Sequence, residues 1–286
     1  MTIDRALTGV VQRAMAPLWI SGLRSPEPVA ALAALGLEGR QPYFAARAAP
    51  LGAVPAPVVV STFFNFSPAA VAPAIPSAWA VASPTDILAA QLAGMNEALP
   101  AAFAGLDASL VPEAAALARS AAEAACEHPE GRPLFSAYAA LEWPDDAHLV
   151  LWHAHYLLRE FRGDGHIAAL TAEGITGIEA HIVHIAAVPD LGPMYRPSRG
   201  WTDAQWDDAI DALRARGWLA QAGDLALTPA GNEWRMAIED RTDELAVPAY
   251  DAIGTDGCTR LAEHGAVISA ALIASGRAMV MPAVRP

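Results

Sequence analysis

The chain has 286 residues, 54% hydrophobic and only 17% charged, against about 25% charged in an ordinary globular protein. Its 18 basic and 31 acidic residues leave a net charge of −13, which argues against nucleic acid as the dominant partner, because such binding rests largely on Lys and Arg displacing counterions. No uninterrupted apolar run is long enough for a membrane span, "MTIDRALTGVVQRAM" lacks the layout of a signal peptide, and the two cysteines, Cys126 and Cys258, form neither a disulfide framework nor a zinc spacing. A cytoplasmic protein without membrane contact is expected.

In chain order, "SPEPVAALAALGLEG" has proline near a helix start and glycine near its end. "APVVVSTFFNF" is short, β-branched and aromatic, and reads equally as a strand or a buried helix turn. "SPAAVAPAIPSAWAVA" reads as one helix entered at Ser67 and ended near Pro76. Ser83 is placed to cap the helix opening at Pro84. The alanine content of "SLVPEAAALARSAAEAACEH" predicts another helix. "EHPEGRP" then looks like a surface linker, dividing the chain into a helical domain over 1–128 and a second domain over 134–286.

Beyond the linker, "PDDAHLVLWHAHYLLREFRGDG" predicts a helix that stops at Gly163 or Gly165, followed by a short helix, "HIAALTAEG". "TGIEAHIVHIAAV" opens with Thr176 and Glu179 in capping-box spacing. "GWTDAQWDDAIDALRARGWL" is amphipathic through Trp206, Ile210 and Leu213. "WLAQAGDLALTPAG" carries two strand-like pieces around Gly223-Asp224, a hairpin signal. "AGNEWRMAIEDRTDELAVPAY" reads as a long closing helix. The fold class expected is mainly α: a helical domain followed by a winged helix-turn-helix-like module with a short β-hairpin wing.

The segment "LRARGWLAQAGDLALTPAGNEW" resembles the wing of the MarR-type winged helix proteins. "LWHAHYLLREFRGDGHIAAL" and "YFAARAAPLG" resemble a largely uncharacterised actinobacterial family whose members are labelled helix-turn-helix proteins. The first likeness implies a transcriptional regulator, and with it a homodimer. Two features depart from a DNA reader. The helix at the recognition position carries Asp203, Asp207, Asp208 and Asp211 against Arg214 and Arg216. The connection "PDLGPMYRPSRG" is far longer than the usual turn of about 3–4 residues.

The chemistry-bearing constellation is the stretch "REFRGDGH". On one helix, His155, Arg159 and Arg162 fall at i, i+4 and i+7 and share a face, with Trp152 beside it. Arginines can clamp a carboxylate, phosphate or enolate oxygen, and Asp164 can orient His166 as an acid or base. The same residues would equally serve a helix end: cations complement the dipole, the glycines cap, and Asp164 would N-cap a helix starting at His166. From the first half, Arg47 and Tyr43 in "YFAARAAPLG" and Phe64 in "FFNFSP" would join the site as a polar group and walls.

The leading reading is a pocket for an apolar small molecule bearing an anionic or carbonyl group, with Arg159, Arg162, His155, Trp152, Arg47, Tyr43 and Phe64 as binding residues. An enzymatic version would use His166 and Asp164. The alternatives are a MarR-type regulator and a metal- or haem-binding protein using the histidine cluster, with two of His155, His166, His181 and His184 joined by Asp164 as the best ligand set. No cofactor is named by the sequence: HExxH, G-x-S-x-G, GxGxxG and P-loop patterns are absent.

Overall fold

The computed structural model describes residues 2–280. It is mainly helical. The first part holds α1 (Ala6–Arg24), α2 (Pro26–Ala34), α3 (Gln41–Ala48), α4 (Ala56–Phe63), α5 (Pro68–Val71), α6 (Ser77–Val81), α7 (Pro84–Phe103) and α8 (Leu110–Ala125). Then follow α9 (Pro133–Ala139), α10 (Ala147–Ala172), α11 (Gly177–Ala187), α12 (Gly192–Ser198), α13 (Asp203–Ala215), α14 (Pro229–Asp251) and α15 (Gly254–Ala274). Residues 281–286, the end of the second expected domain, lie outside the described residues.

Several helices start for the same local reason, a hydroxyl residue followed by proline. Ser67, Ser83 and Thr228 accept the amides of Ala70, Asp86 and Gly231, and proline at the first helical position needs no hydrogen bond there. Thr176 and Glu179 form the expected capping box, with Glu179 accepting the Thr176 amide at 2.8 Å.

α10 is the axis of the molecule. It packs on α1, α7, α8, α9 and α14. Leu151, Ala154, Leu157, Leu158 and Phe161 are fully or nearly fully buried on its apolar face. Each large side chain buried this way contributes roughly 1.5–3 kcal/mol. α8 meets α10 with Ala114, Ala118, Ala121, Ala122 and Ala125, whose small side chains let the axes approach. This first core draws on residues from Ile3 to Leu272, on both sides of the "EHPEGRP" turn. A separate, smaller core joins Ile178, Ile182 and Val183 of α11 to Trp206, Ala209 and Leu213 of α13 and to Leu219.

Three expectations are corrected, and the alternative left open at "APVVVSTFFNF" is decided. α10 does not stop at Gly163 or Gly165 but runs through both to Ala172, absorbing the expected short helix. A mid-helix glycine costs only about 1 kcal/mol. At Gly165 the missing side chain eases a close approach, since a Cβ there would stand 3.3 Å from Leu245 of α14. The expected β-hairpin wing is not seen: among the described residues the β structure is one isolated antiparallel bridge, Leu219 with Leu227. The stretch around Ser67 divides into α5 and α6 rather than forming one helix, and "APVVVSTFFNF" is α4 followed by a tight turn. α15, which the sequence reading passed over, closes against α1. No single helix among the described residues is long and apolar enough to cross a membrane.

The body holds the α11–α13 unit through the turn after α4. Phe64 takes φ of 57°, and its carbonyl presses on the start of α11, where any Cβ on Gly177 would lie 2.0 Å from that oxygen. Ser67 donates its amide to the Arg199 carbonyl and its hydroxyl to the Gly200 carbonyl, while the Trp201 indole donates to the Asn65 carbonyl. These bonds fix the segment after α12 against the body.

Candidate functional site

Because α10 is continuous, its polar stripe is one turn longer than the sequence implied. Arg159, Arg162 and His166 fall at i, i+3 and i+7 and line one face, partly exposed. Each has its own partner. Arg159 bonds the carboxylate of Glu160 at 2.5 Å and lies 3.7 Å from the ring centre of Trp19. Arg162 pairs with both Glu239 and Asp243 at 2.9 Å. His166 Nδ1 meets the Thr242 hydroxyl at 2.8 Å.

The predicted Asp164–His166 unit does not form. Two residues apart on a helix, they point to opposite sides. Asp164 Oδ2 accepts the amides of Leu134 and Phe135, both at 3.0 Å, and so caps α9 from another helix instead of capping one at His166. Burial pushes the Asp164 pKa up to about 6 against the pull of those two amides and of Arg132. A cleft of about 460 Å³, lined by Ser61, Thr62, Asp164 and Ile167 among others, lies on that side of α10, away from the arginines.

Near Arg159, α3 brings in Tyr43 and Arg47. The Arg47 guanidinium donates to the Tyr43 hydroxyl at 3.2 Å, stands 4.0 Å from the ring centre of Phe63 and lies 3.8 Å from Glu160. It is buried at 7% exposure, and its Nε has no hydrogen-bond partner. Glu160 is therefore one carboxylate shared between two guanidiniums. α11 and α12 supply the opposite wall. Arg199 Nε donates to His181 Nε2 at 2.9 Å, and the Arg199 guanidinium lies 4.4 Å from the ring centre of Phe66 and 4.6 Å from that of Tyr195. Burial lowers the Arg199 pKa; Arg47 and Arg40 push the same way, while Tyr43 and Tyr195 oppose them. Burial, Arg199 and His184 together hold His181 down at about 3, and burial with Arg235 holds His184 at about 4.

Thus Tyr43, Arg47 and Arg159 come together, while Arg162 and His166 continue the same face toward α14. Trp152 packs on Tyr156 in the first core, ring centres 4.9 Å apart. His155 is sealed in that core at 2% exposure, with its Nε2 unpartnered. Burial, with Arg159, pulls its pKa down to about 3. Phe64 belongs to a separate cluster with Ala169, Leu170 and Ile238. Trp19, Tyr195 and Arg199 were not expected in the site from the sequence. The one signal for the last two was "MYRPSRG", a connection too long for a turn and rich in aromatic and cationic groups. Among the described residues no three His, Cys, Asp or Glu side chains stand close enough to hold a metal ion.

The helix order α11, α13, bridged loop, α14, set on a large helical body, defines a helix-turn-helix type of protein. The chain belongs to a helix-turn-helix family, whose profile matches residues 9–279. No curated protein and no solved structure matches it.

Proposed function

We propose that this protein binds a small apolar molecule carrying a carboxylate or similar anion, at the junction where α1, α3 and α10 face α11 and α12. One observation carries the reading. In a chain of net charge −13, three guanidiniums (Arg47, Arg159 and Arg199) converge on a junction where, among the described residues, the ion pairs supply a single carboxylate, Glu160. Tyr43, Phe66, Tyr195 and Trp19 surround them with aromatic surface. Guanidiniums partly withdrawn from water and ringed by apolar groups are an environment that favours an organic anion.

A second reading is a ligand-responsive regulator resembling the MarR type and acting as a homodimer, and the helix-turn-helix family supports its regulator part alone. In that reading α13 is the recognition helix and the 218–228 loop a reduced wing. Electrostatics count against it. Asp203, Asp207, Asp208 and Asp211 are exposed on α13. Arg214 and Arg216, at its end, are spent on the carbonyls of Ala220 and Gly174. A duplex would meet a face of net negative charge.

The test pairs two titrations. Calorimetry with 2-naphthoate should show binding to the wild type that weakens roughly tenfold or more in Arg199→Ala, as expected for loss of a charge-assisted contact. Fluorescence anisotropy with labelled duplex from upstream of its own gene should show no specific binding at moderate salt. Unchanged naphthoate affinity in the variant would remove the anion site, and a specific duplex complex would favour the regulator.

A further inference from the structure

The tautomer of His166 is set by its neighbour. Thr242 is fully buried on α14, and its hydroxyl donates to the Ile238 carbonyl at 2.7 Å, one turn back on the same helix. A hydroxyl has one hydrogen. With that hydrogen committed, the 2.8 Å contact to His166 requires Nδ1–H to donate to the Thr242 oxygen. The neutral ring then carries its lone pair on Nε2. The groups facing this ring are Arg162 on α10, His184 on α11, and Arg235 and Glu239 on α14. Burial lowers the pKa of His166, Arg162 and Arg235 add to that, and Glu239 opposes it, so the ring is neutral at pH 7. Nε2 makes no hydrogen bond among the described residues and, unlike His155 Nε2, is not sealed from solvent.

Arg159 lies seven residues before His166 on the same helix face, which places them about 10 Å apart along the axis. Between them Arg162 is held by its two acids. The face therefore offers a cationic end for an anion and, two helical turns on, a fixed hydrogen-bond acceptor.

We infer that His166 Nε2 accepts a hydrogen bond from a hydroxyl or N–H at the far end of the ligand, so that the site selects elongated hydroxyaryl carboxylates, or acids of like shape, over simple apolar acids. This rests on the anion site proposed above. Thr242 is a positioning residue in it, acting through the His166 tautomer.

The test uses 6-hydroxy-2-naphthoate and 6-methoxy-2-naphthoate, which share a carboxylate and differ in the donor at the far end. The wild type should prefer the hydroxy acid by roughly threefold to tenfold, the worth of one neutral hydrogen bond. His166→Ala should bind both alike, with its fold checked by circular dichroism against the wild type. Thr242→Val, which keeps the ring but frees its tautomer, should lose most of the preference. A wild type that does not discriminate, or a preference that survives in either variant, overturns the inference and leaves the anion site standing. If neither acid binds the wild type, the anion site falls and the inference with it.

Discussion

Replacing Glu160 by Gln should destabilise the protein by about 3–5 kcal/mol in urea denaturation, the range for removing one partner of a buried ion pair. Glu160 is 3% exposed and is the carboxylate that both Arg47 and Arg159 approach. The Gln side chain keeps the shape and one acceptor but leaves the Arg47 guanidinium, itself 7% exposed, without a counter-charge. The anion-site reading adds a second expectation. Sulfate should restore part of the lost stability in Glu160→Gln beyond its general effect on the wild type, because an anion beside the guanidiniums can balance the charge that Gln does not. A stability change under 1 kcal/mol, or equal sulfate effects on the two proteins, would mean that Glu160 does not balance this charge.

The second large effect is acid lability. His153, His155 and His181 are buried, and their pKa values are pushed down to about 4, 3 and 3, with burial the main cause and a nearby arginine adding to it in each case. In the unfolded chain these imidazoles take up protons near pH 6.5. The unfolded state therefore gains protons that the folded state excludes. The stability these groups allow is fully present above pH 6.5 and is lost progressively as pH falls toward 3–4. One pH unit below 6.5 costs about 1.4 kcal/mol for each, or about 4 kcal/mol for the three together at pH 5.5. Asp164 acts in the opposite sense, since its folded pKa of about 6 lies above the ordinary carboxylate value, and it offsets part of the loss below pH 6. Against a total stability of about 5–15 kcal/mol, the balance predicts that Tm is level above pH 7 and collapses between about pH 5.5 and 4.5. His155→Gln should flatten that fall. A Tm unchanged from pH 7 to pH 5 would contradict the neutral, buried state assigned to these rings.

The parts of this structure legible in the sequence are those fixed by neighbours along the chain. The Thr176–Glu179 capping box, the Ser83 cap, the alanine-rich α8 and the shared face of Arg159 and Arg162 all depend on spacings of three or four residues. What escaped was set by contacts between distant segments. Gly163 and Gly165 look like helix ends because glycine favours them, yet Leu245 of α14 occupies the space that Gly165 leaves open. Asp164 looks like a local cap, yet the amides it holds belong to Leu134 and Phe135, some 30 positions earlier. The hairpin expected around Gly223-Asp224 is reduced to one bridge, Leu219 with Leu227, and Leu219 is buried with residues of α11 and α13. Three of the predicted site residues converge, but Trp19, Tyr195 and Arg199 arrive from α1 and the α12 region. No local pattern links those segments.

The junction of Arg47, Arg159 and Arg199 is proposed to recognise negative charge on a small apolar molecule. The most direct measurement is calorimetric binding of 2-naphthoate against its uncharged counterpart, 2-naphthamide, to the wild-type protein at pH 7.5. The account predicts that the acid binds at least tenfold more tightly than the amide and that the difference shrinks as salt is raised. Equal affinities for the two, at any salt concentration, would contradict it.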